Sequence, residues 1–167
     1  KISKNKRKKA VFLDRDGVIN QKAPKAEYIT SWKDFVFLPK VKEAIQLLHK
    51  KKYEIYIITN QSGIARNMVT EEIIHTIHKN ILKEFKKIGV EIKYIYMCPH
   101  GWDEGCWCRK PNPGMLFQAA VENAFDVRKS IFIGDDIRDK QAGDAAGCTT
   151  YLVSPNENLF DIVGKYL

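Results

Sequence analysis

Five short apolar segments, rich in β-branched or aromatic residues, alternate along the chain with segments of helical periodicity. The predicted strands are residues 10–13, 53–58, 92–97, 130–133 and 149–153. Apolar residues at helical spacing lie between them, as in residues 41–48 and in residues 74–88, with Thr70 as a predicted N-cap. Because parallel strands need helical crossovers, this order predicts a Rossmann-like, three-layer α/β fold, a parallel sheet with helices on both faces.

Composition limits the number of domains. The chain has 167 residues, of which 44% are hydrophobic, and this length suits one core. Six of the eight net positive charges fall in residues 1–9, so we predict a basic tail over residues 1–9 and a single domain over residues 10–167. No apolar run approaches the roughly 20 residues that span a bilayer, and no signal-peptide core follows the tail. We therefore expect a cytoplasmic protein.

Acidic residues follow two of the predicted strands. Asp14 and Asp16 come directly after the first strand, and Asp135 follows the fourth. Ligands of open parallel sheets bind where the carboxyl ends of the strands meet, so we expect these carboxylates to converge there. Carboxylates placed together repel unless they share a cation, and hard oxygen ligands favour Mg²⁺. The pattern predicts a magnesium site at this edge of the sheet.

Other polar groups fall at the same predicted edge. Residues 59–62 follow the second strand with hydroxyl, amide and backbone N–H groups that could hold an anion. Arg109 and Lys110 lie in a proline-containing turn after a long connection. Each cluster alone is ordinary in a turn or at a surface, but their common placement indicates one phosphate-binding site.

A second group of metal-binding residue types precedes Arg109. Within eleven residues the chain supplies three thiols and one imidazole, from Cys98, His100, Cys106 and Cys108. Structural zinc prefers four such ligands in a closed tetrahedral set, and in a cytosolic protein this composition indicates a metal before a disulfide. We predict a structural zinc site that stiffens the loop before Arg109. The remaining histidines fall on predicted helices and receive no role: His49, His75 and His78.

In their order along the chain, the four polar motifs resemble those of the haloacid dehalogenase superfamily of phosphatases. The matching residues are Asp14-Arg15-Asp16-Gly17, Thr59, Lys110 and Gly134-Asp135. The resemblance implies a phosphoric monoester hydrolase in which Asp14 is the nucleophile and Asp16 the general acid and base. It also implies that Thr59 and Lys110 stabilise the phosphoryl group. Mg²⁺ would be held by Asp14, the main-chain carbonyl of Asp16, and Asp135.

Within the superfamily, the Cys and His insertion resembles the group of D-glycero-D-manno-heptose 1,7-bisphosphate phosphatases and histidinol-phosphate phosphatases, which have no large cap domain. Residues 59–66 and 109–116 are more similar to the heptose enzymes. The short spacing from His100 to Cys106 is more similar to the histidinol-phosphate enzymes, and Asp136 stands where heptose enzymes can carry a lysine. By correspondence, the substrate site would contain Arg15, Lys22, Ala23, Pro24, Lys25, Asn60, Gln61, Ser62 and Arg109.

The resemblance thus implies 7-phosphatase activity on D-glycero-D-manno-heptose 1,7-bisphosphate. Histidinol-phosphate phosphatase is the alternative, and a nucleic-acid 3′-phosphatase is a more distant one because enzymes repairing DNA ends have a similar Thr59-Asn60-Gln61 motif. The expected partner is a small phosphorylated metabolite, and the expected cofactors are Mg²⁺ and structural Zn²⁺. We expect a monomer that binds neither membranes nor nucleic acid.

Overall fold

A parallel sheet of five strands forms the centre of residues 9–167, which the computed structural model describes. The strands are β1 (Lys9–Asp14), β2 (Tyr53–Asn60), β3 (Ile92–Cys98), β4 (Ile131–Gly134) and β5 (Thr149–Leu152). All pair in parallel, in the order β3-β2-β1-β4-β5, which confirms the predicted sheet. The predicted tail over residues 1–9 lies outside the described residues except for Lys9, which begins β1.

Helices cover both faces of the sheet, as predicted. They are α1 (Val41–Lys50), α2 (Glu71–Lys87), α3 (Gly114–Asn123), α4 (Ile137–Ala146) and α5 (Leu159–Tyr166), with short 3₁₀ helices at Trp32–Asp34 and Val127–Lys129. The Thr70 side chain accepts a hydrogen bond from the backbone N–H of Ile73 at 3.2 Å, which confirms it as the N-cap of α2. None of these helices is both long and apolar enough to cross a bilayer.

The central strand β1 is buried on both faces. Its successive side chains point to opposite sides of the sheet, and helices cover both sides. Val11 and Leu13 of β1 join an aliphatic core beneath α1, α2 and α5. Ala10 and Phe12 join a second core beneath α3 and α4, where Phe12 contacts the rings of Tyr56 and other aromatic residues. The two cores hold β1 rigidly in the middle of the sheet.

The order in which strands are added to the sheet reverses at β1. Strands β2 and β3 extend the sheet on one side of β1, and β4 and β5 extend it on the other. The carboxyl ends of β1, β2 and β4 therefore flank the crevice where open α/β sheets bind ligands. Within the described residues, this edge is covered by loops that contain only short elements, at residues 15–40, 61–70 and 99–113. Residues 9–167 contain no large cap domain, as predicted.

Candidate active site

A buried lysine lies between two carboxylates at the carboxyl end of β1. Lys110 Nζ donates to Asp14 Oδ1 at 2.7 Å and to Asp139 Oδ1 at 2.6 Å, and all three residues are buried. Burial raises the pKa of Asp14 to about 7, an effect that Lys110 opposes and Asp139 reinforces. Burial alone would lower the pKa of Lys110, but the two carboxylates outweigh it and raise that pKa. Lys110 is therefore a fixed positive charge beside Asp14.

Asp139 pairs with Lys110 and also stabilises the start of α4. Its Oδ2 accepts hydrogen bonds from the backbone N–H groups of Asp135 and Asp136, both at 3.1 Å, within the capping box that begins α4. Sequence reasoning placed Asp139 in the acidic group that follows the fourth strand but assigned it neither a catalytic nor a metal-binding role. Its contact with Lys110, 29 residues away in the sequence, is what the local pattern does not give.

Asp135 offers a free oxygen to a cation. Its Oδ1 is buried without a hydrogen-bond partner among the described residues, while its Oδ2 accepts from Lys22 Nζ at 2.6 Å. Carboxylate oxygens of Asp14, Asp135 and Asp139 lie within 4.8 Å of one another, and we call these residues the carboxylate cluster. A buried, unpartnered oxygen beside Asp14 fits a small hard cation such as Mg²⁺. Gly17 is required here, because its φ of +94° favours glycine and a Cβ at this position would overlap the Asp135 carboxylate.

The Asp16 carboxylate occupies a different environment. Its Oδ1 accepts from Arg15 Nη2 at 3.0 Å and Asn20 Nδ2 at 2.9 Å, and its Oδ2 accepts from Gln61 Nε2 at 3.0 Å. Burial would raise the pKa of Asp16, but the Arg15 charge and these hydrogen bonds outweigh it and lower the pKa. Gln61 also donates to Thr59 Oγ1 at 2.8 Å. Three donors therefore fix the orientation of one charged carboxylate.

Arg15 lies beneath Asp16 instead of lining the substrate cavity. The side chain is 1% exposed, and its Nη1 is 3.2 Å from Nε2 of His78 on α2. His78 is also buried, and burial together with the Arg15 charge lowers its pKa to about 3. The imidazole is therefore neutral and accepts this hydrogen bond through Nε2. Sequence reasoning gave His78 no role.

A cavity of about 160 Å³ lies over both carboxylate environments. Its lining residues are Asp14, Asp16, Lys22, Asn60, Ser62, Arg109, Lys110, Asp135, Asp136, Arg138 and Asp139. Four predicted substrate-binding residues are among them. Of the other predicted substrate-binding residues, Ala23 and Pro24 line a separate cavity of about 620 Å³, Lys25 lines neither cavity, and Gln61 is buried. Thr59, predicted to stabilise the phosphoryl group, is also buried.

Asn60 connects the end of β2 to the loop that carries Lys110. Its Oδ1 accepts from the backbone N–H of Lys110 and its Nδ2 donates to the Lys110 carbonyl, both at 3.1 Å. The paired contacts fix the Lys110 backbone against the sheet edge. The Lys110 side chain can then reach Asp14, which is 96 residues away in the sequence.

Asp136 and Arg138 form a two-point ion pair at the rim of the cavity. Arg138 Nε donates to Asp136 Oδ1 at 2.8 Å, and its Nη2 donates to Oδ2 at 3.1 Å. The pairing lowers the pKa of Asp136 to about 2 and offsets its negative charge. Sequence reasoning missed Arg138 as a cavity residue, because nothing in the local pattern aims its side chain at the cavity.

The four predicted zinc ligands come together beside the cavity. We call Cys98, His100, Cys106 and Cys108 the thiolate cluster: five of the six pairs of ligand atoms lie 3.1 to 3.6 Å apart, and all lie within 4.8 Å of one another. These cysteines are free thiols. With Zn–S distances of about 2.3 Å, a tetrahedral site has similar ligand spacings, so the set fits one zinc ion. Arg109 Nη1 donates to the His100 carbonyl at 3.4 Å and ties the cavity to this loop.

Comparison with known proteins places this site in a family. Residues 9–156 match the family described as Polynucleotide kinase 3 phosphatase. The chain belongs to this family, within the haloacid dehalogenase superfamily. A Campylobacter jejuni relative named D-glycero-alpha-D-manno-heptose-1,7-bisphosphate 7-phosphatase is 43% identical over 149 residues, or 89% of this chain and 84% of the relative. A Bordetella bronchiseptica relative named for the beta anomer is 37% identical, over 87% of this chain and 80% of the relative.

Solved structures agree with this membership of the haloacid dehalogenase superfamily. The crystal structure of D,D-heptose 1,7-bisphosphate phosphatase from B. bronchiseptica, complexed with magnesium and phosphate, aligns with a TM-score of 0.83 and 35% identity. The alignment covers 93% of this chain and 84% of the other. The predicted superfamily and the predicted class of phosphoric monoester hydrolase are confirmed. The individual residue roles remain predictions.

Proposed function

We propose that this phosphatase removes the 7-phosphate of D-glycero-D-manno-heptose 1,7-bisphosphate through an aspartyl phosphate on Asp14. The observation that carries the chemistry is the single cavity in which Asp14, held by Lys110, faces the separately oriented Asp16. The names of the relatives that span most of the chain support the sugar. The cytoplasmic location and the monomeric state stay predictions.

In the proposed reaction, an oxygen of the Asp14 carboxylate forms a bond to phosphorus as the bond from phosphorus to the sugar oxygen breaks. Asp16 gives its proton to the leaving alkoxide. It then takes a proton from the water that attacks phosphorus, which releases inorganic phosphate and restores Asp14. The Asp16 pKa is low in the resting protein, and a phosphate dianion in the cavity raises it toward the protonated form.

The positive charges have defined tasks in this proposal. Lys110 stabilises the phosphoryl oxygens, with Thr59 on the neighbouring strand as the predicted second contact. Mg²⁺, held by Asp14, Asp135 and the main-chain carbonyl of Asp16, would offset the negative charge that develops on the phosphoryl group. Zinc in the thiolate cluster would have no chemical step and would keep the loop before Arg109 folded.

Two arginines favour a substrate with a second anionic group. Arg109 and Arg138 line both the main cavity and an adjoining cavity of about 210 Å³ next to the thiolate cluster. A planar guanidinium binds phosphate oxygens in pairs, so the adjoining cavity suits the 1-phosphate of the sugar. Histidinol phosphate carries an ammonium group and an imidazole but no second anionic group. Since Arg138 already pairs with Asp136, Arg109 is the cavity arginine without a carboxylate partner among the described residues, and the 1-phosphate of the heptose bisphosphate would supply the anion it lacks.

The nucleic-acid 3′-phosphatase stays as the second candidate on a specific observation. Trp102 and Trp107 lie on the loop before Arg109 and are 72% and 63% exposed. Exposed aromatic rings beside an arginine can stack on nucleic-acid bases. The family description also names a 3′-phosphatase. A single-stranded oligonucleotide with a 3′-phosphate therefore belongs among the test substrates.

The test is Mg²⁺-dependent phosphate release from both anomers of the heptose bisphosphate, from L-histidinol phosphate and from the 3′-phosphorylated oligonucleotide. Asp14→Asn serves as the blank. We expect kcat/KM to be at least about a hundredfold higher for one heptose anomer than for the other two classes, which is about 2.7 kcal/mol of discrimination. A preference for histidinol phosphate or the oligonucleotide would replace the proposed substrate while keeping the chemistry.

A further inference from the structure

The guanidinium of Arg15 is buried with unusually few partners. It is 1% exposed, and its hydrogen bonds go only to Asp16 and His78 within the part of the chain that the structure describes. Its third nitrogen, Nε, is buried without a hydrogen-bond partner among those residues. The ring of Phe35 lies 6.0 Å from Arg15 Cζ and closes another side. A buried cation with two partners depends strongly on each of them.

His78 is suited to accept a hydrogen bond from this cation. It lies on α2, 63 residues from Arg15 in the sequence, and is 6% exposed. The charged and titratable groups around it are Arg15, His75 and Asp16. Since its imidazole is neutral, the Nε2 lone pair is available to Arg15 Nη1 at 3.2 Å. The other hydrogen-bonded neighbours of Asp16, Asn20 and Gln61, are uncharged.

We propose that His78 is a positioning residue for proton transfer, which orients Arg15 and through it the Asp16 carboxylate. This inference rests on the proposed function, in which Asp16 protonates the leaving alkoxide. Without the acceptor on α2, Arg15 has two nitrogens to satisfy and leaves its present rotamer for other partners. Asp16 then loses its only charged hydrogen-bond partner among the described residues and with it a fixed direction into the cavity.

Two substrates with different leaving groups can distinguish this positioning role of His78 from a purely structural one. A sugar alkoxide is a poor leaving group and depends on a proton donor, whereas p-nitrophenolate leaves without one. Both substrates share the later step in which Asp16 activates water, so the comparison uses kcat/KM, which reports only the steps up to formation of the aspartyl phosphate. A misdirected Asp16 should therefore lower kcat/KM for the sugar phosphate and spare that for p-nitrophenyl phosphate. A variant that merely lowers the amount of folded protein slows both substrates by the same factor.

The experiment compares His78→Leu, which keeps the volume and removes the acceptor, with His78→Gln, whose amide oxygen can accept from Arg15. We expect His78→Leu to lower kcat/KM for the heptose bisphosphate about tenfold or more, with kcat/KM for p-nitrophenyl phosphate changed less than about threefold. His78→Gln should restore most of the loss. His75→Ala is the matched control, because His75 is exposed on the same helix and pairs only with Glu71 among the described contacts.

Equal losses on both substrates, or no loss, would overturn the inference. Asp16→Asn tests the underlying function separately: if it too shows no dependence on the leaving group, the role of Asp16 fails and not only that of His78. Should His78→Leu not fold, ¹⁵N NMR of the wild-type protein at neutral pH decides the point. We expect His78 to carry its proton on Nδ1, and a protonated Nε2 would exclude the hydrogen bond from Arg15.

Discussion

The carboxylate cluster and the thiolate cluster lie beside the same cavity, but they are held in different ways. Asp14 and Asp135 extend from the ends of buried strands, and Asp139 is fixed in the first turn of α4. In the thiolate cluster, Cys98 ends β3 but the other three ligands lie on a loop of partly exposed residues. The sheet therefore fixes the first cluster without a metal. We predict that the second cluster depends on a bound zinc ion for a fixed geometry.

Removing the proposed nucleophile gives the largest expected effect and tests whether the two clusters are independent. Asp14→Asn should lower kcat by at least about 10⁴-fold, because the neutral amide is a poor nucleophile and cannot form the aspartyl phosphate. Zinc content, measured by metal analysis, should remain unchanged because no ligand of the thiolate cluster is touched. A loss of zinc together with activity would show that the two clusters fold as one unit.

Lys110→Met tests how far the carboxylate cluster depends on its central charge. We expect kcat/KM to fall about 10³-fold, and the free energy of unfolding in the absence of Mg²⁺ to fall by about 3 to 5 kcal/mol. The reason for the second effect is that Asp14 and Asp139 then lose their buried partner. Urea unfolding measures it, with Lys140→Met as the control, since Lys140 pairs with Asp144 at an exposed position and should change stability by less than about 1 kcal/mol.

Cys106→Ser tests the dependence of the thiolate cluster on metal. Losing one of four ligands should lower zinc from one ion per chain to a small fraction, lower Tm and raise KM several-fold, with a smaller change in kcat. Metal analysis, thermal unfolding and kinetics measure the three effects. The control is Cys148→Ala, which removes a buried thiol remote from the cluster. Unchanged zinc stoichiometry in Cys106→Ser would contradict the proposed site.

Arg138→Met tests the region between the two clusters, where Arg138 lines both cavities. If Arg138 binds the second phosphate, KM for the heptose bisphosphate should rise about tenfold, while KM for a sugar monophosphate stays within about twofold. Steady-state kinetics with both substrates decide this. Arg128→Met is the control, because Arg128 forms the same kind of paired contact with Asp126 away from the cavity.

The smallest expected effect is on the free energy of unfolding at acid pH, and it arises from the buried contact between His78 and Arg15. The unfolded chain protonates His78 below about pH 6.5, whereas burial and Arg15 prevent this in the folded protein until about pH 3. The contribution of His78 to stability is therefore present above pH 6.5 and declines as the pH falls. Between pH 7 and pH 5, wild type should lose about 1 to 2 kcal/mol more free energy of unfolding than His78→Gln. Parallel curves would contradict a buried neutral imidazole.

Local sequence patterns were sufficient to predict the strands and the order of the polar motifs. Buried parallel strands appear as short β-branched runs, and an acid directly after such a run, as at Asp14, must lie at the carboxyl edge of the sheet. Ligand spacing likewise predicted that Cys98, His100, Cys106 and Cys108 come together. These features depend on residues close in the sequence, so the sequence itself determines them.

Only the tertiary structure showed which partners the predicted catalytic residues have. Lys110 meets Asp14 across 96 residues, and His78 meets Arg15 across 63, through contacts that no local periodicity encodes. For the same reason, Arg15 was expected to bind substrate but lies beneath Asp16, and His78 and Arg138 were missed. The sequence determined which chemical groups reach the edge of the sheet. Packing between distant elements decided which of them touch, and therefore which are charged, oriented or exposed to a substrate.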